Sequence, residues 1–368
     1  MPKLNENFLR LKTSYLFSEV AHRTAAYTKA NPDKPIIRLG IGDVTKPLTA
    51  KVIKALHEGV DQMASAETFK GYGPEQGYPE LRNAISAYYK KSGVDVDPDA
   101  IFISDGAKSD TGNITDLFAH DNVILIPDPV YPVYVDTNIM CGNSVIYMNG
   151  TPENGFLPMP DHSQHVDLIY LCSPNNPTGA IMEKEDLEKL VPIIEEHDLY
   201  VLSDEIYAEL TYKGEMHSII EFPGMRDRTV YINGFSKAYA MTGWRLGYAV
   251  APEPILQQML KIHQFAIMCA PTTSQYAAIE ALKNGDKDVE EMRQAYNQRR
   301  RYLIKRFKDI GLECFEPFGA FYVFPCIKEF GMTSEEFATK FLEEEKVAAV
   351  PGNAFGDSGE GYLRIYYA

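Results

Sequence analysis

The sequence predicts an α/β protein: a large domain built on a mostly parallel sheet, and a smaller α+β domain. Three observations carry this. Short apolar runs bounded by turn residues recur through the middle of the chain. Helical patterns lie between several of them. Beyond residue 288 the alternation stops. Continuous apolar runs are the mark of strands buried on both faces. Strands that alternate with helices imply parallel pairing under a helical cover.

The runs expected as strands are Ile101–Ser104, Val123–Ile126, Leu168–Cys172, Tyr200–Ser203, Val230–Ile232 and Leu246–Val250. Lys51–Met63, Pro79–Lys91 and Lys184–His197 place apolar residues three and four apart, the period of a helix with one buried face. Val289–Asp309 is a long helical pattern rich in Arg and Lys. A hairpin-like stretch, Gly319–Phe324, follows, then a helix over Ser334–Glu345 and a strand within Gly361–Tyr367. Residues 1–45 carry little strand pattern and are expected to pack on this second unit. The expected division is 46–287 for the large domain, with 1–45 and 288–368 forming the small one.

The chain has 368 residues, 45% apolar and 24% charged, enough to bury a large core without staples. It carries 36 basic and 51 acidic side chains, a net charge of −15. That argues against nucleic acid or an anionic membrane as the main partner. The five cysteines are scattered with no CxxC, so no disulfide frame or zinc knuckle is expected, and a reducing cytoplasm is the natural compartment. Met1–Arg10 is polar, so no secretory leader is expected, and no apolar run is long enough to span a membrane.

Five segments carry chemistry, each following an apolar run. Gly234-Phe235-Ser236-Lys237 precedes Gly243-Trp244-Arg245-Leu246-Gly247-Tyr248. A lysine at a sheet end is desolvated, and desolvation turns an ammonium into a nucleophilic amine. Arg245 could grip a phosphate with its planar fork. Taken alone, Lys237 is as readily a surface loop residue. Asp204, in Ser203-Asp204-Glu205-Ile206-Tyr207, falls at a strand's carboxyl end, where open α/β sheets bind ligands. It could hold a proton on a heterocyclic nitrogen or simply cap a helix. Ser173-Pro174-Asn175-Asn176-Pro177-Thr178-Gly179 offers a rigid turn with the Asn176 amide. Ser104-Asp105-Gly106-Ala107-Lys108-Ser109 opens a helix whose first N–H groups suit a phosphate. Asp128-Pro129-Val130-Tyr131-Pro132-Val133-Tyr134 offers aromatic faces for stacking. A phosphate cradle, a ring stack, an amide, an acid with a phenol, and an amine with an arginine together fit pyridoxal 5'-phosphate.

With these motifs the chain resembles the fold-type I, class I/II aminotransferases that use pyridoxal phosphate. The resemblance implies that Lys237 carries the cofactor as a Schiff base and then moves protons, and that Asp204 pairs with the ring nitrogen. It implies that Tyr207 and Asn176 bond the ring hydroxyl, that Tyr131 stacks on the ring, and that Ala107, Lys108, Ser236 and Arg245 hold the phosphate. Arg364, in Tyr362-Leu363-Arg364-Ile365-Tyr366-Tyr367-Ala368, matches the arginine for the substrate α-carboxylate.

The first half is similar to the L,L-diaminopimelate aminotransferases. The residues that carry this are Leu4-Asn5-Glu6-Asn7, Ser14-Tyr15-Leu16-Phe17, Leu39-Gly40-Ile41-Gly42-Asp43-Val44, Glu67–Tyr78, Ser104–Asn113 and Asp128–Asn138. That resemblance places Tyr15, Gly42, Lys108, Tyr131 and Asn176 at substrate positions. Tyr72 would reach the cofactor phosphate of the neighbouring subunit of a homodimer, and Glu67 would meet the substrate's distal ammonium. Asp204–Tyr207, Asn233–Tyr248 and Pro317–Pro325 look instead like general aromatic or aspartate-type members. The implied reaction moves an amino group from L,L-2,6-diaminopimelate to 2-oxoglutarate, with a general aromatic or aspartate aminotransferase as the alternative. A β-lyase or decarboxylase would use the same lysine and aspartate, and a non-catalytic sensor would bind the cofactor without turnover.

Other features read as bland. His162 and His165 have HxxH spacing but no third ligand in a polar loop, so no metal is expected. Arg299-Arg300-Arg301 reads as a solvated helix face, as does Glu343-Glu344-Glu345 at a helix end. Cys172 reads as core.

Overall fold

The structure is a computed structural model that describes residues 2–11, 16–40, 42–161, 163 and 165–368. Its strands are β1 (Ile37–Arg38), β2 (Ile101–Ser104), β3 (Val123–Asp128), β4 (Ser144–Asn149), β5 (Leu168–Cys172) and β6 (Tyr200–Asp204). They continue with β7 (Thr229–Gly234), β8 (Gly247–Val250), β9 (Tyr322–Val323), β10 (Val347–Ala348), β11 (Val350–Pro351) and β12 (Leu363–Tyr366). Among the described residues, seven of these form one sheet in the order β2-β8-β7-β6-β5-β3-β4. All its pairings are parallel except those of β8, which runs against both neighbours. Because β2 and β7 both oppose β8, they point the same way. The carboxyl ends of β2, β3, β5, β6 and β7 therefore lie along one edge.

The helices are α1 (Leu16–Ala30), α2 (Ala50–Asp61), α3 (Pro79–Lys91), α4 (Ala107–Asn113), α5 (Val133–Cys141) and α6 (Lys184–Glu196). After them come α7 (Phe235–Ala238), α8 (Glu253–Ala266), α9 (Thr272–Asn284), α10 (Asp286–Asp309) and α11 (Ser334–Glu345). Their ends follow from local chemistry. Thr49 caps α2 by accepting the Val52 N–H, and Pro79 opens α3, where its missing N–H costs nothing. Gly142 closes α5 in the left-handed conformation at φ 90°.

Strand β5 shows how the core is split. Ile169 and Leu171 join the apolar cluster on one face of the sheet, with Leu81, Ile85 and Ala277 from α3 and α9. Leu168 and Tyr170 join the other cluster, with Tyr134 of α5 and Leu256 of α8. Both faces are covered, so the strand is apolar at every position. The edge strand β4 was not legible because its sequence, Ser144–Asn149, mixes polar residues into a half-exposed strand. No helix among the described residues is long and apolar enough to cross a membrane.

A second sheet, β11-β12-β9, is antiparallel, and β1 pairs with β10 beside it. Three expectations need correction. Gly319–Phe324 is not a hairpin. The Phe318 and Gly319 N–H groups both donate to the Gly179 carbonyl at 3.0 Å, so that end is tied elsewhere. Only Tyr322–Val323 forms a strand, on β12. The extreme N-terminus also departs: Asn5 Nδ2 donates to the Met140 carbonyl at 3.0 Å, on α5 beneath the large sheet, although β1 does join the second unit. Finally, Arg300 is buried, not solvated. It donates to Glu316 and to the Pro317 carbonyl, both at 2.9 Å, because its helix face turns onto that loop. Glu343, Glu344 and Glu345 are exposed as expected.

Candidate active site

A cavity of about 390 Å³ opens at the carboxyl edge of the large sheet, and Tyr322 and Arg364 of the second unit close its far side. Lys237 enters it from α7, one short helix after β7. Its Nζ donates to the Gly42 carbonyl at 3.0 Å. Burial pulls the amine down to about 8; the Asp43 carboxylate opposes the shift, and the Arg364 and Arg245 cations add to it. A lysine in this state is part neutral near physiological pH, as a nucleophile must be.

Asp204 ends β6 beside Cys172, its register partner on β5. The Tyr134 hydroxyl donates to Oδ2 at 2.6 Å and the Ile206 N–H to Oδ1 at 3.1 Å. Burial pushes this carboxyl up, and the two donors restrain it. The aspartate does cap a turn, but its carboxylate also faces the cavity.

Arg364 is buried and held from several sides. Nη1 donates to Asn176 Oδ1 at 2.9 Å and Nη2 to the Gly40 carbonyl at 2.6 Å. Its guanidinium lies 4.4 Å from the Tyr322 ring centroid and 4.7 Å from that of Phe355. Tyr207 and Tyr322 share a 2.7 Å hydrogen bond between their hydroxyls, and burial pushes both phenols up.

Arg245 adopts a left-handed backbone at φ 49°, and its Nη1 donates to the Thr242 carbonyl at 3.0 Å. Its fork reaches Gly106 so closely that a Cβ there would sit 2.7 Å from Nη2. A Cβ on Gly247 would meet the Ala107 N–H nitrogen at 2.7 Å. Only glycines leave this corner open for the start of α4.

Eleven residues expected at a site face this one cavity: Gly42, Ala107, Lys108, Tyr131, Asn176, Asp204, Tyr207, Ser236, Lys237, Arg245 and Arg364. Two do not. Glu67 is exposed and accepts from Ser65 Oγ at 2.8 Å, and Tyr72 is 85% exposed. Tyr15 and His162 lie outside the described residues. Sequence reasoning missed Asp43, Tyr134, Ile206, Thr242 and Tyr322 on the cavity wall. Tyr134 stood inside a segment already singled out; the signal was its position one helical turn beyond Tyr131. Cys172 is core as expected, and it also lines the cavity beside Asp204, where burial pushes its thiol up to about 12.

These residues fit pyridoxal phosphate on their own chemistry. The glycine-lined corner under Arg245 could take an anion, the buried Asp204 could pair with a proton-bearing ring nitrogen, and the depressed Lys237 amine could meet an aldehyde.

The profile of the family "Aminotransferase class I and II" matches residues 34–368. An LL-diaminopimelate aminotransferase of Lachnospira eligens is 42% identical, over 99% of this chain and 95% of that one. An aromatic aminotransferase from Pyrococcus horikoshii superposes with TM-score 0.85 at 36% identity, over 95% of this chain and 93% of that one. An aspartate aminotransferase from Thermus thermophilus superposes with TM-score 0.89 at 29% identity, over 100% of this chain and 95% of that one.

Proposed function

The chain belongs to the class I and II aminotransferases, a family of pyridoxal-phosphate enzymes, and from that premise we propose that it moves the amino group of L,L-2,6-diaminopimelate to 2-oxoglutarate. The observation that carries the reaction type is the convergence of a depressed Lys237 amine, buried Asp204 and buried Arg364 on one cavity. The substrate choice is supported by the diaminopimelate-acting relative, similar over almost the whole chain.

In this reading Arg245, Ser236, Lys108 and the Ala107 N–H hold the cofactor phosphate. Asp204 faces the ring nitrogen, Tyr207 and Asn176 the ring hydroxyl, and Tyr131 the ring itself. When bound, the cofactor supplies an aldehyde for amines and a sink for the electron pair of the substrate α-carbon. Arg364 grips the α-carboxylate by its fork and orients the Cα–H toward Lys237. Lys237 Nζ removes the α-proton and later returns one, a task suited to an amine with pKa near the working pH. Asp204 keeps a proton on the ring nitrogen, and Tyr134 keeps Asp204 in place. Gly42 lines the substrate side.

The exposure of Tyr72 supports a homodimer in which each copy lends this residue to the other's site, and Glu67 is taken as the partner of the substrate's distal ammonium. The reading takes residues 46–287 as the cofactor-binding domain and 1–45 with 288–368 as the small one, with the extreme N-terminus reaching across to α5, in a cytoplasmic enzyme. A second reading, a general aromatic or aspartate aminotransferase, is favoured by the Pyrococcus and Thermus superpositions. The test mixes cofactor-loaded protein with L,L-diaminopimelate, aspartate or an aromatic amino acid and follows the visible cofactor band. Loss with diaminopimelate alone, restored by 2-oxoglutarate, is expected. Loss with aspartate or the aromatic acid instead supports the second reading, and loss with none overturns both.

A further inference from the structure

Asp128 ends β3, is buried, and has no part in the chemistry described so far. Its Oδ2 accepts the Asp357 N–H at 3.0 Å and its Oδ1 the Ser358 N–H at 3.2 Å. Two residues on, the Val130 N–H donates to the Phe355 carbonyl at 2.8 Å. Three hydrogen bonds thus tie the end of a large-sheet strand to the turn at residues 355–358. The fit leaves no slack: Gly356 sits at φ +128°, and a Cβ there would lie 2.0 Å from Asp128 Oδ1.

What this turn carries gives the contact its meaning. Phe355 is one of two rings that pack against the Arg364 guanidinium, its centroid 4.7 Å away. The segment that holds the turn also carries Tyr131, on the wall of the catalytic cavity. We propose that Asp128 is a positioning residue for substrate binding: its carboxylate clasps the 355–358 turn and so fixes Phe355 behind Arg364, in register with Tyr131. The proposal rests on the reading that Arg364 takes a substrate carboxylate.

The clasp needs an ionised carboxylate, because both oxygens accept. Protonation turns one oxygen into a donor and removes an acceptor from a backbone N–H. Burial pushes Asp128 up to about 6; the Ser358 and Asp357 N–H groups oppose the shift and the Asp357 carboxylate adds to it. The other charged or titratable groups around it are Tyr147 of β4, Asp136 of α5, Lys108 of α4 and Arg10, which line the adjoining cavity. The clasp is therefore made above about pH 6 and loosens below it.

The probe is 2-oxoglutarate, ionised over the window from about pH 5.5 to about pH 8 and unable to turn over without an amino donor. Its binding to the cofactor-loaded protein is measured by calorimetry, beside amide exchange at Asp357 and Ser358. Wild-type affinity is expected to fall as pH drops through about 6. Asp128→Asn keeps the shape but loses one accepting oxygen. It is expected to weaken binding about tenfold at about pH 8, to speed exchange at both amides, and to flatten the pH profile. Binding equal to wild type at about pH 8, or an unchanged pH profile in the variant, overturns the proposal. Should the variant fail to fold, a flat wild-type profile overturns it and a falling one supports it. Amino-acid turnover by the wild type is read separately. Probe binding with the expected profile but no turnover sinks the transaminase reading and leaves the clasp standing, whereas no probe binding at any pH sinks the carboxylate role of Arg364 and this proposal together.

Discussion

Tyr134 donates a 2.6 Å hydrogen bond to Asp204 from α5, a helix that begins only two residues after Tyr131. Both residues are buried, and Tyr134 also meets Tyr170 edge-on at 6.1 Å. A donor to the ionised form holds an acid's pKa down. Tyr134→Phe is therefore expected to raise Asp204 further and weaken its hold on a proton-bearing ring nitrogen. The expected result is a kcat about tenfold lower with KM little changed, since a hydrogen bond to a charged group is worth about 1.5–3 kcal/mol. Steady-state kinetics decide it; an unchanged kcat would assign Tyr134 to packing alone.

Lys237→Ala is expected to abolish turnover while the far-UV spectrum and the unfolding transition stay close to wild type. The wild-type amine, pulled down to about 8, also predicts a pH profile. Only the neutral amine attacks an aldehyde, so capture of pyridoxal phosphate by cofactor-free protein should quicken as pH rises through about 8 and level off above it. A rate that keeps rising toward the range of an ordinary lysine would contradict the buried environment.

Tyr72→Phe tests the shared site. The side chain is exposed in the single chain, so its loss should leave the fold intact. It should still weaken cofactor retention several-fold on dialysis, because a phosphate contact is lost. A protein that is monomeric at working concentration, with full activity, would refute the arrangement.

Glu205 makes a stability prediction independent of catalysis. It is buried, and its Oε1 accepts from Ser203 Oγ at 2.9 Å and Ser218 Oγ at 2.8 Å. Burial pushes it up to about 8, from the ordinary glutamate value of about 4.3. Between those values the folded chain keeps a proton that the unfolded chain has lost, so stability falls as pH rises through the window. Glu205→Gln should flatten that slope and be more stable than wild type at about pH 8 by about 1 kcal/mol or more. Urea unfolding at several pH values measures it.

The buried parallel strands were legible because both of their faces are covered, which leaves an uninterrupted apolar run such as Leu168–Cys172. The residues at their carboxyl ends were legible for the same reason: Lys237 and Asp204 stand out where an apolar run stops. Short strands that owe their existence to distant partners were not. Ile37–Arg38 is exposed and exists as a strand only because Val347–Ala348 lies beside it. Tyr322 looked like part of a hairpin, and its place against Arg364 and Tyr207 depends on a fold-wide approach that no local pattern encodes. Arg300 misled in the other direction, since charge runs are solvated until a particular loop covers one member.

The hydrogen bond from Arg364 to the Gly40 carbonyl spans 324 positions of sequence. A chain made from its amino terminus releases Lys108, Asp204, Lys237 and Arg245 from the ribosome well before Arg364, and domains tend to fold as they emerge. Gly40 must then wait, its carbonyl turned to water, until nearly all of the described chain is out. The residues of this chain proposed to hold a phosphate and a ring thus leave the ribosome before the cation that would recognise a substrate. Cofactor capture in this arrangement can precede the release of Arg364, and recognition of a substrate through that cation cannot.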